Sequence, residues 1–116
     1  LDNINWVGFY LLNENELVLG PFQGKPACVT IPIGKGVCGT AVSTDSLQLV
    51  KDVHDFPGHI ACDSSSRSEL VMPLHDKSGR VIAVLDIDSP TTGRFSDTDG
   101  DGILLLQPVL ENIFNR

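Results

Sequence analysis

The chain has 116 residues, of which 41% are hydrophobic and 20% are charged, and this length and balance predict one globular domain with a single core. Fifteen acidic residues against eight basic ones give a net charge of −7, and the lack of any block of Lys or Arg argues against a nucleic-acid partner. The apolar runs are too short to span a membrane. Three cysteines, an odd number, argue against a secreted disulfide framework and favour catalytic thiols in a reducing cytosol, so we expect a cytoplasmic protein.

The first third of the chain has the pattern of a β-hairpin followed by a loop. Alternating apolar residues predict strands over residues 6–12 and 16–22, joined by a turn at residues 13–15. Residues 23–35 include four Gly and Pro residues and are expected to be loop. The small side chains of residues 36–43 predict a helix of one or two turns.

The middle of the chain predicts further short strands around a long polar stretch. A strand over residues 47–50 precedes residues 51–68, and loops of that length are usually functional or disordered. Residues 69–74 and 80–88 flank a turn at residues 76–79, which predicts a second hairpin.

The C-terminal part of the chain has the signals of a helix. Ser96 with Asp99 is typical of a helix start. Apolar residues then recur at helical spacing, at Ile103, Leu106, Leu110 and Ile113. Pro108 is expected to kink or split this helix. Strands and loops followed by a helix predict an α+β domain with an antiparallel sheet.

Each of the three cysteines interrupts a loop-like stretch rather than an apolar run. They are Cys28, Cys38 and Cys62. A thiol becomes reactive where cationic groups or amide dipoles stabilise its thiolate, and the cationic candidates near in sequence are Lys25, Lys35 and His59. Sequence alone does not establish that these groups are near in space, so the alternative of three buried small hydrophobic residues stays open.

Two of the predicted strands carry polar or aromatic groups on a single face. Because side chains alternate along a strand, Asp86 and Asp88 share one face, and burying them unpaired would be costly. That face therefore meets water at the strand end or lines a polar pocket. On the first strand, Gly8 lies between Trp6 and Tyr10, and the gap it leaves suits a small ligand group. The alternative is that both rings are simple core residues.

Five segments of the chain together resemble one enzyme family. They are residues 5–10, 20–28, 34–41, 56–63 and 84–88. These blocks are similar to the signature blocks of the free methionine-(R)-sulfoxide reductases, which are GAF-fold enzymes that reduce the R-epimer of free methionine sulfoxide. The match spans essentially the whole chain and keeps the cysteine spacing. It implies a GAF-like α+β fold, with a central antiparallel β-sheet and flanking helices.

The resemblance implies a role for each candidate site residue. Cys62 matches the catalytic cysteine, Cys28 the resolving cysteine, and Cys38 a third cysteine that serves as an alternative resolver. The implied substrate-binding residues are the aromatic pair Trp6 and Tyr10, for the S-methyl end, and the acidic cluster Glu69, Asp86 and Asp88.

The implied reaction is thiol-dependent. Cys62 attacks the sulfoxide sulfur and becomes a sulfenic acid, helped by a carboxylic acid that keeps its proton because other carboxylates lie nearby. Cys28 then forms a disulfide with Cys62, and an external dithiol, thioredoxin, restores both thiols. The expected partners are free methionine-(R)-sulfoxide and thioredoxin, with no resident cofactor and no metal.

Members of that family carry a further, largely helical segment before the strand at residues 6–12. We expect residues 1–116 to be a single GAF domain that lacks this segment and has no signal peptide. Because the segment contributes to dimer contacts in the family, a homodimer is left open.

Two metal sites are weaker interpretations of the sequence. Residues 97–102 match the first six positions of an EF-hand calcium loop, but Pro108 stands at the twelfth position, where that loop needs a Glu. A zinc site lacks paired-cysteine spacing; its ligands would be Cys28, Cys38, Cys62 and His59.

The competing function is a sensory GAF module that binds a small ligand without catalysis. Its pocket would have similar walls. Three loop cysteines would have no purpose in it.

Overall fold

A six-stranded antiparallel sheet forms the centre of the fold, in the strand order β3-β2-β1-β6-β5-β4. The computed structural model describes residues 2–59, 62 and 65–115. The strands are β1 (Trp6–Asn13), β2 (Glu16–Gly24), β3 (Thr30–Pro32), β4 (Gln48–Val50), β5 (Ser68–His75) and β6 (Val81–Ser89). The helices are α1 (Gly36–Thr44) and α2 (Asp97–Phe114), with a 3-10 turn at Val53–Asp55. Every strand pair is antiparallel, which confirms the predicted α+β class.

The predicted cysteine block at residues 56–63 is described only in part. Cys62 and His59 are described, whereas Ile60, Ala61 and Asp63 lie outside the described residues.

The register of the central strands aligns three of the candidate site residues. Asp88 of β6 lies opposite Trp6 of β1 on one side and opposite Glu69 of β5 on the other. Asp86 lies two positions further along β6, opposite Gly8, and therefore on the same face of the sheet. Residues far apart in sequence thus form one row across three neighbouring strands.

The two faces of the sheet are covered by different helices. α1 packs on the face that carries Trp6 and Tyr10, where Val37 and Ala41 join their core cluster. On the opposite face α2 covers a second apolar cluster, built on Leu70, Met72, Leu74, Leu85 and Ile87. Side chains of β6 contribute to both faces of the sheet because they alternate along the strand, as the sequence pattern predicted.

A close backbone approach at Gly39 holds α1 against β3. A Cβ atom at this position would lie 2.6 Å from the carbonyl oxygen of Pro32 and 2.9 Å from the backbone nitrogen of Gly34. Only glycine fits at that separation. The neighbouring residue on α1 is Cys38, so this contact also fixes where the Cys38 side chain lies.

The prediction that residues 23–35 are loop was wrong in two places. β2 continues to Gly24, and Thr30–Pro32 forms the short edge strand β3. Only three residues pair, with Val18 opposite Thr30. An edge strand tolerates Pro32 because its outer side has no neighbouring strand that needs a backbone hydrogen-bond donor. The proline made the sequence of β3 resemble that of a loop.

Pro108 was expected to kink or split the last helix, and it does not split it. α2 is continuous from Asp97 to Phe114, since contacts on both sides of Pro108 hold it to the sheet. Before Pro108, the Gln107 side-chain amide donates to the Pro73 carbonyl oxygen at 2.9 Å, and after it a Glu111 carboxylate oxygen accepts from the His75 backbone N–H at 2.7 Å.

The face that α2 presents to the sheet also differs from the expected one. Ile103 and Leu110 pack on the sheet together with Phe114. Leu106 and Ile113 are about half exposed, at 48% and 50%. Among the described residues, no helix combines the length and apolarity needed to cross a bilayer.

Candidate active site

Cys28 and Cys62, 34 positions apart in sequence, are joined by a disulfide with their Cα atoms 5.1 Å apart. This is the predicted pairing. Cys28 follows the end of β2, and Cys62 precedes β5. Both are half-buried and pack against the α1 side of the sheet. The disulfide therefore lies on the face that carries the row of Trp6, Asp88 and Glu69.

A small cavity of about 30 Å³ lies beside the disulfide. The candidate site residues among its walls are Trp6, Tyr10, Cys38, Cys62, Glu69, Asp86 and Asp88. Cys62 thus shares one cavity with both aspartates, as the proposed chemistry requires. This volume can hold one or two water molecules, so in the disulfide form the cavity is too small for an amino acid.

Sequence reasoning missed part of the cavity wall. Ala27, Ile31, Val37 and Ser66 also line it. Val37 and Ala27 are direct neighbours of predicted cysteines, which was the available signal. Ser66 and Ile31 line the cavity because of how their segments pack in the tertiary structure, and no sequence pattern indicated that position.

Three carboxyl groups are buried in this cavity. Glu69, Asp86 and Asp88 are each at most 8% exposed. Burial, followed by the nearby Asp88 and Glu69 charges, raises the pKa of Asp86 well above its usual range. Asp86 therefore holds its proton to a higher pH than an ordinary aspartic acid does.

Cys38 is a buried thiol beside the acidic cluster. It is 3% exposed, and its Sγ lies 3.9 Å from Oε2 of Glu69. Burial and the charge of Asp86 raise the pKa of this thiol well above its usual range, because the thiolate would be both desolvated and repelled. The interpretation of a buried small residue thus fits Cys38, whereas Cys28 and Cys62 form the disulfide.

The two aromatic residues are both core residues and cavity walls. Trp6 and Tyr10 stack with ring centroids 5.9 Å apart, and Phe22 also stacks with Trp6, at 5.6 Å. The prediction of an open gap at Gly8 was wrong. A Cβ atom there would lie 2.6 Å from both the Trp6 ring and Cβ of Phe22, so aromatic atoms already fill that space.

Both aromatic side chains also donate hydrogen bonds to the segment that carries Cys28. Trp6 Nε1–H donates to the Lys25 carbonyl oxygen at 3.1 Å, and the Tyr10 hydroxyl donates to the Cys28 carbonyl oxygen at 2.9 Å. Burial, and then the charge of Asp86, raise the pKa of Tyr10, so its hydroxyl remains a donor.

The two metal-site interpretations find little support in the geometry. Residues 97–102 begin α2, where Ser96 and Asp99 form a capping box. Two thiols of the zinc set are consumed by the disulfide. Cys38, Glu69 and Asp86 bring three metal-type ligand atoms within 4.8 Å of one another. The pKa values of Cys38 and Asp86 are both raised, so a metal ion would have to displace protons that these groups hold more tightly than usual, which opposes metal binding.

Comparison with known proteins identifies close relatives. A family model described as GAF domain matches residues 3–109. The free methionine-R-sulfoxide reductase of Escherichia coli is 58% identical over 113 residues, covering 97% of this chain and 68% of that protein.

Two solved structures resemble the fold closely. The reduced form of fRMsr of Staphylococcus aureus is 60% identical with a TM-score of 0.92, covering 97% of this chain and 72% of that one. The free methionine-R-sulfoxide reductase of Neisseria meningitidis in complex with its substrate is 48% identical with a TM-score of 0.92, covering 96% and 67%. These likenesses confirm the predicted GAF-like fold.

Proposed function

Since this chain belongs to the free methionine-R-sulfoxide reductase family of GAF-domain proteins, we propose that it reduces free L-methionine-(R)-sulfoxide to L-methionine with thiols as the reductant. The observation that carries the proposal is the Cys28–Cys62 disulfide beside a cavity walled by aromatic rings and buried carboxyl groups. A redox-active pair next to a site for a small polar substrate is what this reaction needs.

In the first step the Cys62 thiolate attacks the electrophilic sulfoxide sulfur. Asp86, protonated because of its raised pKa, donates a proton to the sulfoxide oxygen, which makes that oxygen a better leaving group. The oxygen passes to Cys62 as a sulfenic acid, and methionine leaves as the two-electron-reduced product.

In the second step Cys28 attacks the Cys62 sulfenic acid. The new S–S bond forms as the S–O bond breaks, and the hydroxyl leaves with a proton as water. The disulfide form described above is the product of this step. Cys38, which has a raised pKa, is a weak competitor of Cys28 because the thiolate is the nucleophile.

In the third step an external dithiol of the thioredoxin class reduces the disulfide by exchange. The two electrons of each turnover come from that dithiol, so we propose no resident cofactor. Such recycling operates in a reducing compartment, which supports a cytoplasmic location.

The walls of the cavity account for a free amino acid as substrate. Trp6 and Tyr10 offer an apolar surface to the S-methyl end. The carboxylates at Glu69 and Asp88 offer acceptors to the α-ammonium group, which a methionine inside a peptide has lost. Because the closed cavity holds only about 30 Å³, the segment from Lys25 to Val29 moves aside in the dithiol form to admit the substrate.

Turnover of the two epimers tests the proposal. Methionine formation is measured with dithiothreitol as reductant, with the R- and S-epimers of free methionine sulfoxide supplied separately. We expect turnover of the R-epimer and little of the S-epimer. A folded protein that turns over neither epimer contradicts the proposal, and saturable binding of the sulfoxide without turnover favours the sensory module instead.

A further inference from the structure

The segment that carries Cys28 is tied to the sheet by side chains of β1. Between the end of β2 at Gly24 and the start of β3 at Thr30, the chain leaves the strand ladder. The segment from Lys25 to Val29 is half-buried at best, and Val29 is 66% exposed. Burial therefore does little to fix this segment, and its hydrogen bonds become important.

The anchors of these hydrogen bonds are rigid. Tyr10 and Trp6 are 1% and 2% exposed and belong to β1, which is paired on both sides by β2 and β6. The Tyr10 hydroxyl donates to the carbonyl oxygen of Cys28 itself, and Trp6 donates to that of Lys25, three positions earlier. A backbone bond from Leu19 N–H to the Val29 carbonyl oxygen completes the attachment, at 2.8 Å.

A phenol has one proton to donate. In the disulfide form the Tyr10 proton is committed to the Cys28 carbonyl oxygen, which lies in the segment that must close before the disulfide can form. This hydroxyl is thus placed to act on the position of Cys28 and is not placed to protonate the sulfoxide.

We infer that Tyr10 is a positioning residue for the resolving cysteine: its hydrogen bond to the Cys28 carbonyl captures the segment from Lys25 to Val29 in the closed position. Trp6 supports the same closure through Lys25. The inference rests on the proposed function for its place in the catalytic cycle. It assigns the hydroxyl of Tyr10 to disulfide formation and leaves the ring to the substrate pocket.

The matched variant is Tyr10→Phe, which keeps the ring and removes the donor. Reduced protein is mixed with methionine-(R)-sulfoxide without external reductant, and methionine release and loss of free thiols are followed separately. We expect the ratio of the rate of disulfide formation to the rate of methionine release to fall by about 3- to 10-fold relative to the wild type, the range for one lost hydrogen bond. Val29→Thr, an isosteric change at an exposed side chain of the same segment, serves as the control and should match the wild type.

A second measurement does not depend on the substrate. In a glutathione buffer, two protein thiols and one glutathione disulfide exchange to give the protein disulfide and two glutathione molecules. We expect Tyr10→Phe to shift this equilibrium toward the dithiol by about 3- to 10-fold. Trp6→Phe, which removes the other donor and keeps an aromatic ring, should shift it in the same direction.

The outcomes separate the inference from the proposed function. A Tyr10→Phe protein with wild-type closure rate and wild-type thiol–disulfide equilibrium overturns the inference. So does a variant in which methionine release slows as much as disulfide formation, because the hydroxyl would then act in the first step. If the wild type releases no methionine, the proposed function fails, while the glutathione equilibrium still decides whether Tyr10 positions Cys28.

Discussion

Glu69 and Asp88 lie directly opposite each other on β5 and β6, and both carboxyl groups are buried. Two acidic residues in a cross-strand pair destabilise a sheet, and burial adds a desolvation cost. The fold keeps this arrangement at the wall of the cavity beside Cys62. Its chemistry suits a cationic group, which in the proposed function is the α-ammonium of the substrate.

Glu69→Gln should stabilise the protein while weakening its activity. Removing one of two opposed acidic groups is expected to raise the free energy of unfolding at neutral pH by about 0.5–1 kcal/mol. The same change removes a partner of the ammonium group, so KM for the sulfoxide should rise. Chemical denaturation and steady-state kinetics measure the two effects. Glu16→Gln, at an exposed position of β2, is the control and should alter neither, and a less stable Glu69→Gln protein would contradict the account.

Asp86 should make the stability of the protein decrease as the pH rises. Its pKa in the folded state lies well above the ordinary value of 3.8 because of burial and of the Asp88 and Glu69 charges. The folded state therefore binds the proton more tightly, so this contribution to stability is fully present below 3.8 and is lost as the pH rises through the raised folded pKa.

Denaturation of the wild type and of Asp86→Asn across a pH series isolates that effect. Three other aspartates have lowered pKa values, namely Asp52, Asp76 and Asp99. They make the protein more stable as the pH rises, but they are present in both proteins, so their effect cancels in the comparison. The difference in unfolding free energy should shift in favour of Asp86→Asn as the pH rises from acid to neutral. A difference that is constant with pH would show that Asp86 titrates normally.

Two features of the site could be predicted from the sequence, one from a local rule and one from the family resemblance. The alternation of side chains along a strand placed Asp86 and Asp88 on one face, and the family resemblance paired Cys28 with Cys62. The row of Trp6, Asp88 and Glu69 depends on the register between strands distant in sequence, which no local pattern encodes.

The errors in the prediction have tertiary causes. The space beside Gly8 was taken as open because the sequence does not indicate that the Trp6 ring and Phe22 fill it. β3 was missed because it is short and contains Pro32. Pro108 was expected to kink or split α2, and the helix is not split, because its packing on the sheet outweighs one missing backbone hydrogen bond.

Two glycines of the helices should respond oppositely to alanine. At Gly39 a Cβ atom would come within 2.6 Å of the Pro32 carbonyl oxygen, so Gly39→Ala should destabilise the protein by about 1–3 kcal/mol. At Gly102 of α2 the space is open among the described residues, and Gly102→Ala should stabilise it by about 0.5–1 kcal/mol. Thermal unfolding compares both, and equal effects would mean that the close approach at Gly39 is relaxed in solution.

Cys38 should be the slow thiol of the oxidised protein. Of three cysteines two form the disulfide, and burial raises the pKa of the third. Iodoacetamide should therefore label native oxidised protein at least about tenfold more slowly than the same protein in denaturant, because the reagent needs an accessible thiolate. Mass spectrometry of the labelled protein measures this, and equal rates would contradict the buried position of Cys38.

Methionine release in a single turnover tests most directly the central claim, that Cys62 receives the oxygen and Cys28 resolves it. Fully reduced proteins are mixed with excess methionine-(R)-sulfoxide and no reductant. The wild type should release about one methionine per chain and end as the disulfide. The double variant Cys28→Ser/Cys38→Ala should also release about one and end as a Cys62 sulfenic acid that a cyclic 1,3-dione traps. Cys62→Ser should release none, since a hydroxyl is a poor nucleophile at neutral pH. Release of a full equivalent by folded Cys62→Ser would contradict the account.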